Sequence, residues 1–107
     1  MPVSLTWLPF SVVLGDVSNQ PTPSGQKVFS KDLQVQITGF VYITLKSSVS
    51  NIAWILINGE PYESNSGIQL PGGAGFTFKI PVRGGDTVNV YFAMTTYASV
   101  HVHNSSS

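Results

Sequence analysis

Apolar residues fall on every second position through most of this chain, and that alternation restricts it to strands. Leu33, Val35, Ile37, Val41, Ile43 and Leu45 hold odd positions, with Gln34, Gln36, Thr38, Tyr42, Thr44 and Lys46 between them. This is the period of a half-buried strand, one face on a core and one on solvent. Fourteen extended residues from 33 to 46 would span about 46 Å at ~3.3 Å each. A domain of 107 residues is only about 30–35 Å across. Gly39, the single break in the pattern, is therefore expected to mark a bulge or bend that carries one long strand around a corner.

The alternation returns in "GFTFKIPVRGGDTVNVYFAM" (75–94), where Phe76, Phe78, Ile80 and Val82 precede Arg83-Gly84-Gly85-Asp86, and Val88, Val90, Phe92 and Met94 follow it. The spacing predicts a hairpin with its tip at 83–86. Asn58-Gly59 predicts a type I′ hairpin turn, because both residues tolerate positive φ. Pro61 cannot donate to a ladder and places 60–64 on an edge. Ile52 to Ile57 is apolar on both faces, as in a central strand or one with a face in a subunit interface. Strands are expected at about 3–13, 26–30, 33–46, 52–58, 60–64, 76–82, 87–94 and 97–103, with a loop over 15–26 and a frayed tail over 104–107. No helical run interrupts them. The fold class is all-β: one domain over 1–107, an antiparallel two-sheet sandwich, arranged as a jelly roll of about eight strands.

Charge narrows the partners. Charged residues are 9% of the chain, and five basic and five acidic side chains cancel. A nucleic-acid binder needs lysines and arginines to displace counterions from phosphates, and no basic stripe is present. Nucleic acid and anionic membrane are both poor partners, and no segment has the ~18 apolar residues of a membrane span. The apolar run "LTWLPFSVVLG" (5–15) lacks a basic residue before it and an obvious cleavage site after it, so it reads as a strand and not an export signal. A near-zero net charge removes the repulsion that keeps copies apart. Homo-oligomeric assembly is the expectation.

Chemistry-bearing motifs are sparse. Arg83-Gly84-Gly85-Asp86 has the glycines of a phosphate-cradling loop, but a strand follows it where such a loop needs a helix N-terminus. It reads as a turn. "LPGGAG" (70–75) is a second glycine loop that could border a binding site. His101 and His103, two apart on a strand, share a face, yet a zinc site needs three or four ligands and the carboxylates are scattered. The reading is no metal and no cofactor, with a symmetry axis that gathers copies of the strand as the one arrangement that would supply more ligands. Cysteine is absent, no G-x-S-x-G elbow occurs, and Glu60 and Glu63 point to opposite faces, unlike a glycosidase pair. No catalytic residue is assigned. Asn104-Ser105-Ser106 fits a glycosylation sequon. Trp7, Trp54, Tyr62 and Tyr97 are the candidate binding or interface residues; with Tyr42 and Tyr91 they could stack on sugar rings across an uncharged surface.

The stretch "GFTFKIPVRGGDTVNVYF" (75–92) resembles the penultimate hairpin of small jelly-roll heads. There a strand ends in a basic-Gly-Gly-Asp turn and "GD-x-V" opens the next. Such heads occur in tumour-necrosis-factor/complement-C1q-like modules and in virion decoration, turret and fibre-tip proteins. The resemblance implies a trimeric or higher assembly without a cofactor. The lack of a leader and of a collagenous stalk favours the virion members, on the particle surface after assembly in the host cytoplasm. The expected function is a non-enzymatic, self-assembling capsid, decoration or spike component with capsid protein as partner. The alternative is an extracellular carbohydrate-binding module or lectin that takes a glycan.

Overall fold

The computed structural model describes residues 10–107. The alternating segments resolve into nine strands: β1 (Ser11–Thr22), β2 (Leu33–Gln34), β3 (Gly39–Ser47), β4 (Asn51–Ile57), β5 (Glu60–Pro61), β6 (Ile68–Leu70), β7 (Gly75–Val82), β8 (Thr87–Phe92) and β9 (Thr96–Ser105). They form two antiparallel sheets with neighbour orders β1-β9-β3-β7 and β2-β8-β4-β5. β6 pairs with Asn51–Ala53 of β4 while β5 pairs with its far end, Leu56 and Ile57. These two short strands therefore share one edge of β4 and fill a single place. Apart from the β4-β5-β6 meander, each strand lies in the opposite sheet from the one before it, which is the jelly-roll arrangement.

The core follows directly from the alternation. Val41, Ile43 and Leu45 of β3, with Val100 and Val102 of β9, meet Ala53 and Ile55 of β4 and Val88, Val90 and Phe92 of β8. Each of these ten is fully buried. At ~25 cal/mol per Å² of apolar surface removed from water, this layer is the dominant stabilising contribution.

The expected corner at Gly39 is where the chain changes sheet. β2 belongs to the sheet of β8, β3 to the sheet of β9, and residues 35–38 cross between them. The reason for glycine is close approach: a Cβ there would run into the Ser105 carbonyl and lie 2.8 Å from Ser106 Cα. Asn58 and Gly59 both have positive φ, 53° and 80°, as the type I′ turn requires. The apolar outer face of β4 is covered within the chain. Gly67, at positive φ, folds the β5–β6 excursion over Ile52 and Trp54, with room for no side chain.

Several expectations are corrected. Residues 75–94 do not form a hairpin, because β7 and β8 lie in different sheets and 83–86 is a crossover. The loop expected over 15–26 is strand as far as Thr22, where register shifts at Val13/Gly15 and Val17/Gln20 absorb the turn-forming residues. Residues 26–30 are not a regular strand, although Gly25 and Val28 donate backbone hydrogen bonds to Phe92 and Val90 of β8. Beyond Pro61 the strand expected to Ser64 gives way to a loop, and β6 was not anticipated. The tail expected over 104–107 is strand through Ser105, with Asn104 fully buried. The strand expected over 3–13 lies outside the described residues up to residue 9.

Candidate functional site

Arg83–Asp86 is bound into the fold and does not present its amides. The Arg83 N–H donates to Asp86 Oδ2 at 2.8 Å, and the Asp86 N–H returns to the Arg83 carbonyl at 3.0 Å. Gly84 donates to Thr38 Oγ1, and Gly85 donates to the Val35 carbonyl. Gly85 takes φ 93°, the positive φ that a type II turn needs at its third residue. An anion would have to displace Asp86, which already fills the nest. The Arg83 N–H first, then the Asn58 amide, hold the Asp86 carboxyl below its usual value near 3.8. This loop and the 35–38 crossover are pinned to each other and form the polar end of the sandwich.

The aromatics named from sequence divide by position. Trp7 lies outside the described residues. Trp54 stacks on Tyr91 of the neighbouring strand, centroids 4.8 Å apart and planes 12° from parallel. Its indole N–H donates to the Asn65 carbonyl, and a side chain at Gly67 would meet its Cε2 at 2.9 Å. The indole is thus partly buried, stacked on Tyr91 and held at its N–H by the β5–β6 loop. Tyr62 packs against the core. Partial burial, then the neighbouring Glu63, raise its phenol above the usual value near 10.0.

Tyr97 differs. It is 57% exposed, and at the same end Met94 of the β8–β9 loop is 55% and Val49 of the β3–β4 loop 42% exposed. Pro21, Val49, Thr95 and Tyr97 line a largely apolar cleft of about 410 Å³ at the end opposite Arg83. Beneath them the loops are fixed by a buried polar network. Asn51 Oδ1 accepts the Met94 N–H at 2.9 Å, and its Nδ2 donates to the Met94 carbonyl at 3.0 Å. The Thr96 hydroxyl bonds both Ser47 Oγ and Ser48 Oγ, and the Tyr97 N–H donates to Ser48 Oγ. The "LPGGAG" loop closes one side, where a Cβ on Gly72 would lie 2.7 Å from the Val49 carbonyl carbon. Scattered exposed apolar side chains are ordinary. Here they sit on loops held by the hydrogen bonds beneath them. The sequence marks Tyr97 as an aromatic and gives Val49 no role, while Met94, expected as the last alternating position of a strand, is exposed in the loop after β8 ends at Phe92.

His101 and His103 do share a face, the outer side of the β1-β9-β3-β7 sheet. Across the ladders His101 lies between Asp16 and Thr44, and His103 between Val13 and Tyr42. Among the described residues no group of three or more His, Cys, Asp or Glu is placed to hold a metal. The Asn104 of the sequon is buried and committed to internal hydrogen bonds, so it does not present a glycosylation acceptor. No helix among the described residues is long and apolar enough to cross a membrane. The sequence matches no protein-family model and no curated protein.

Proposed function

We propose that this chain is a non-enzymatic structural module that assembles with copies of itself through the end carrying Val49, Met94 and Tyr97. The observation that carries this reading is the exposure of those three side chains, Val49 and Tyr97 lining an apolar cleft, on loops held by the Asn51 and Thr96 networks. A second copy is the occupant assigned to it, since the chain has zero formal net charge and its copies carry no net repulsion. Burying the exposed parts of these side chains on both copies contributes on the order of 5–9 kcal/mol, at roughly 1.5–3 kcal/mol for a fully buried side chain. Association itself costs about 4 kcal/mol or more. Assembly through this end alone is therefore concentration-dependent.

The setting we assign is the surface of a virus particle, as a capsid, decoration or spike component, with three copies as the expected unit. Its support is a jelly-roll order that capsid proteins use, with the "GD-x-V" opening of β8 kept although 75–92 is not the hairpin of the heads it resembles. Lectins use the same order, so fold alone does not choose between them. Against a lectin stands the engagement of Trp54, partly buried, stacked on Tyr91 and bonded to the Asn65 carbonyl. Static light scattering on the purified protein over micromolar concentrations tests the reading: the expected result is a mass that rises with concentration to a multiple of 11.5 kDa. A constant monomer mass, with glycan-array binding abolished by Trp54→Ala, would establish the lectin reading instead.

A further inference from the structure

The outer face of the β1-β9-β3-β7 sheet holds a second arrangement that the assembly reading does not use. His101 Nδ1 lies 3.1 Å from Asp16 Oδ1. An ionised carboxylate only accepts, so Nδ1 carries the proton and the lone pair of a neutral His101 sits on Nε2. This carboxylate–imidazole relay is the one that orients metal-bound histidines. The His103 ring is held by a different device, stacked on Tyr42 with centroids 4.8 Å apart and planes 4° from parallel. Lys79, the cation nearest to that stack, is drawn over the Phe40 ring at 4.2 Å, with its nitrogen 5.6 Å from the Tyr42 centroid.

We propose that His101 and His103 together chelate one divalent transition-metal ion per chain, with Asp16 as the positioning residue and water in the remaining positions. The two ring centroids are 5.9 Å apart, with planes inclined by 50°. An ion about 2.0–2.1 Å from an imidazole nitrogen stands roughly 3.2 Å from the ring centre, so two rings on one tetrahedral ion are about 5 Å apart. A small side-chain rotation closes the difference. Imidazole pairs suit zinc, nickel and copper, and the affinity order rises toward copper. The site needs no second copy, so it is independent of how the chain assembles.

The chain contains two histidines, so their ring C–H signals in a proton NMR spectrum report on this site alone. Titrating the full chain with Zn²⁺ at neutral pH is expected to move both signals in step, with saturation at one ion per chain. His103→Gln should abolish the movement of the His101 signal over the same range. Asp16→Ala, an exposed change on an edge strand, should weaken binding about 10–100-fold with the thermal midpoint unchanged. Movement of only one signal, separate midpoints, or saturation at one ion per two chains would overturn the chelate. An unchanged affinity in Asp16→Ala would overturn the relay.

Discussion

One carboxamide closes the corner where the chain passes from one sheet to the other. Asn104 Oδ1 accepts the N–H groups of Gln36 and Ile37, both at 3.0 Å, and Nδ2 donates to the carbonyls of Ile37 and Phe40 at 3.1 and 3.0 Å. Asn104→Ala strands these backbone groups, each costing about 1–3 kcal/mol if it stays dry. The expected loss, after partial relaxation, is about 2–4 kcal/mol by urea denaturation, and a loss below ~1 kcal/mol would contradict the role. The sequence displays none of this. "HNSSS" has the composition of a tail, and the partners of Asn104 are 64 or more positions away. Asp86 is the corresponding case for pH. Its folded-state pKa is depressed, so its contribution is present above the ordinary value near 3.8 and is lost as pH falls through the lower folded value. The melting temperature of the wild type should fall more between pH 5 and pH 2 than that of Asp86→Asn. Parallel falls would mean that the carboxylate adds nothing to the turn.

At the scale of elements, two glycines that look alike in sequence are required for different reasons. Gly39 has ordinary φ but no space, and its neighbours are the backbone of Ser105 and Ser106, which cannot swing aside. Gly85 has open space but positive φ. Gly39→Val should cost about 1–3 kcal/mol by overpacking, or more, and Gly85→Ala about 1–2 kcal/mol through its dihedral. Arg83→Ala should stay within about 0.5 kcal/mol as a surface change. Denaturant midpoints of the three variants check the order, and an Arg83→Ala cost above that of Gly85→Ala would contradict it. The strands themselves were legible because burial on one face imposes period two. Their ends were not. β1 runs on through Gly15, Asn19 and Pro21 because an edge strand with bulges admits residues that a central strand excludes. Residues 25–29 lie along β8 through backbone hydrogen bonds and through Asn89, whose side chain bonds both the N–H and the carbonyl of Phe29. Neither kind of pairing leaves an apolar pattern.

For the whole molecule, alternation reports which side chains face inward but not which sheet a strand joins. The segment 75–92 therefore read as a hairpin while its halves lie in opposite sheets. The same limit hid the apolar end. Tyr97 was visible as an aromatic, but Val49 and Met94 reach the same end only because the β3–β4 and β8–β9 loops meet there, Asn51 bonding the Met94 backbone. At the other end Asp86 accepts from the Asn58 side chain and from the Arg83 N–H. The proposed assembly rests on the exposed Val49, Met94 and Tyr97 at the end formed by the β3–β4 and β8–β9 loops. Sedimentation velocity on the wild type and on a Met94→Lys/Tyr97→Lys double variant, at the same series of concentrations, tests it most directly. The account predicts an oligomer that grows with concentration for the wild type, and a monomer of unchanged melting temperature for the variant. A wild type that stays monomeric throughout, or a double variant that assembles as well as the wild type, would contradict it.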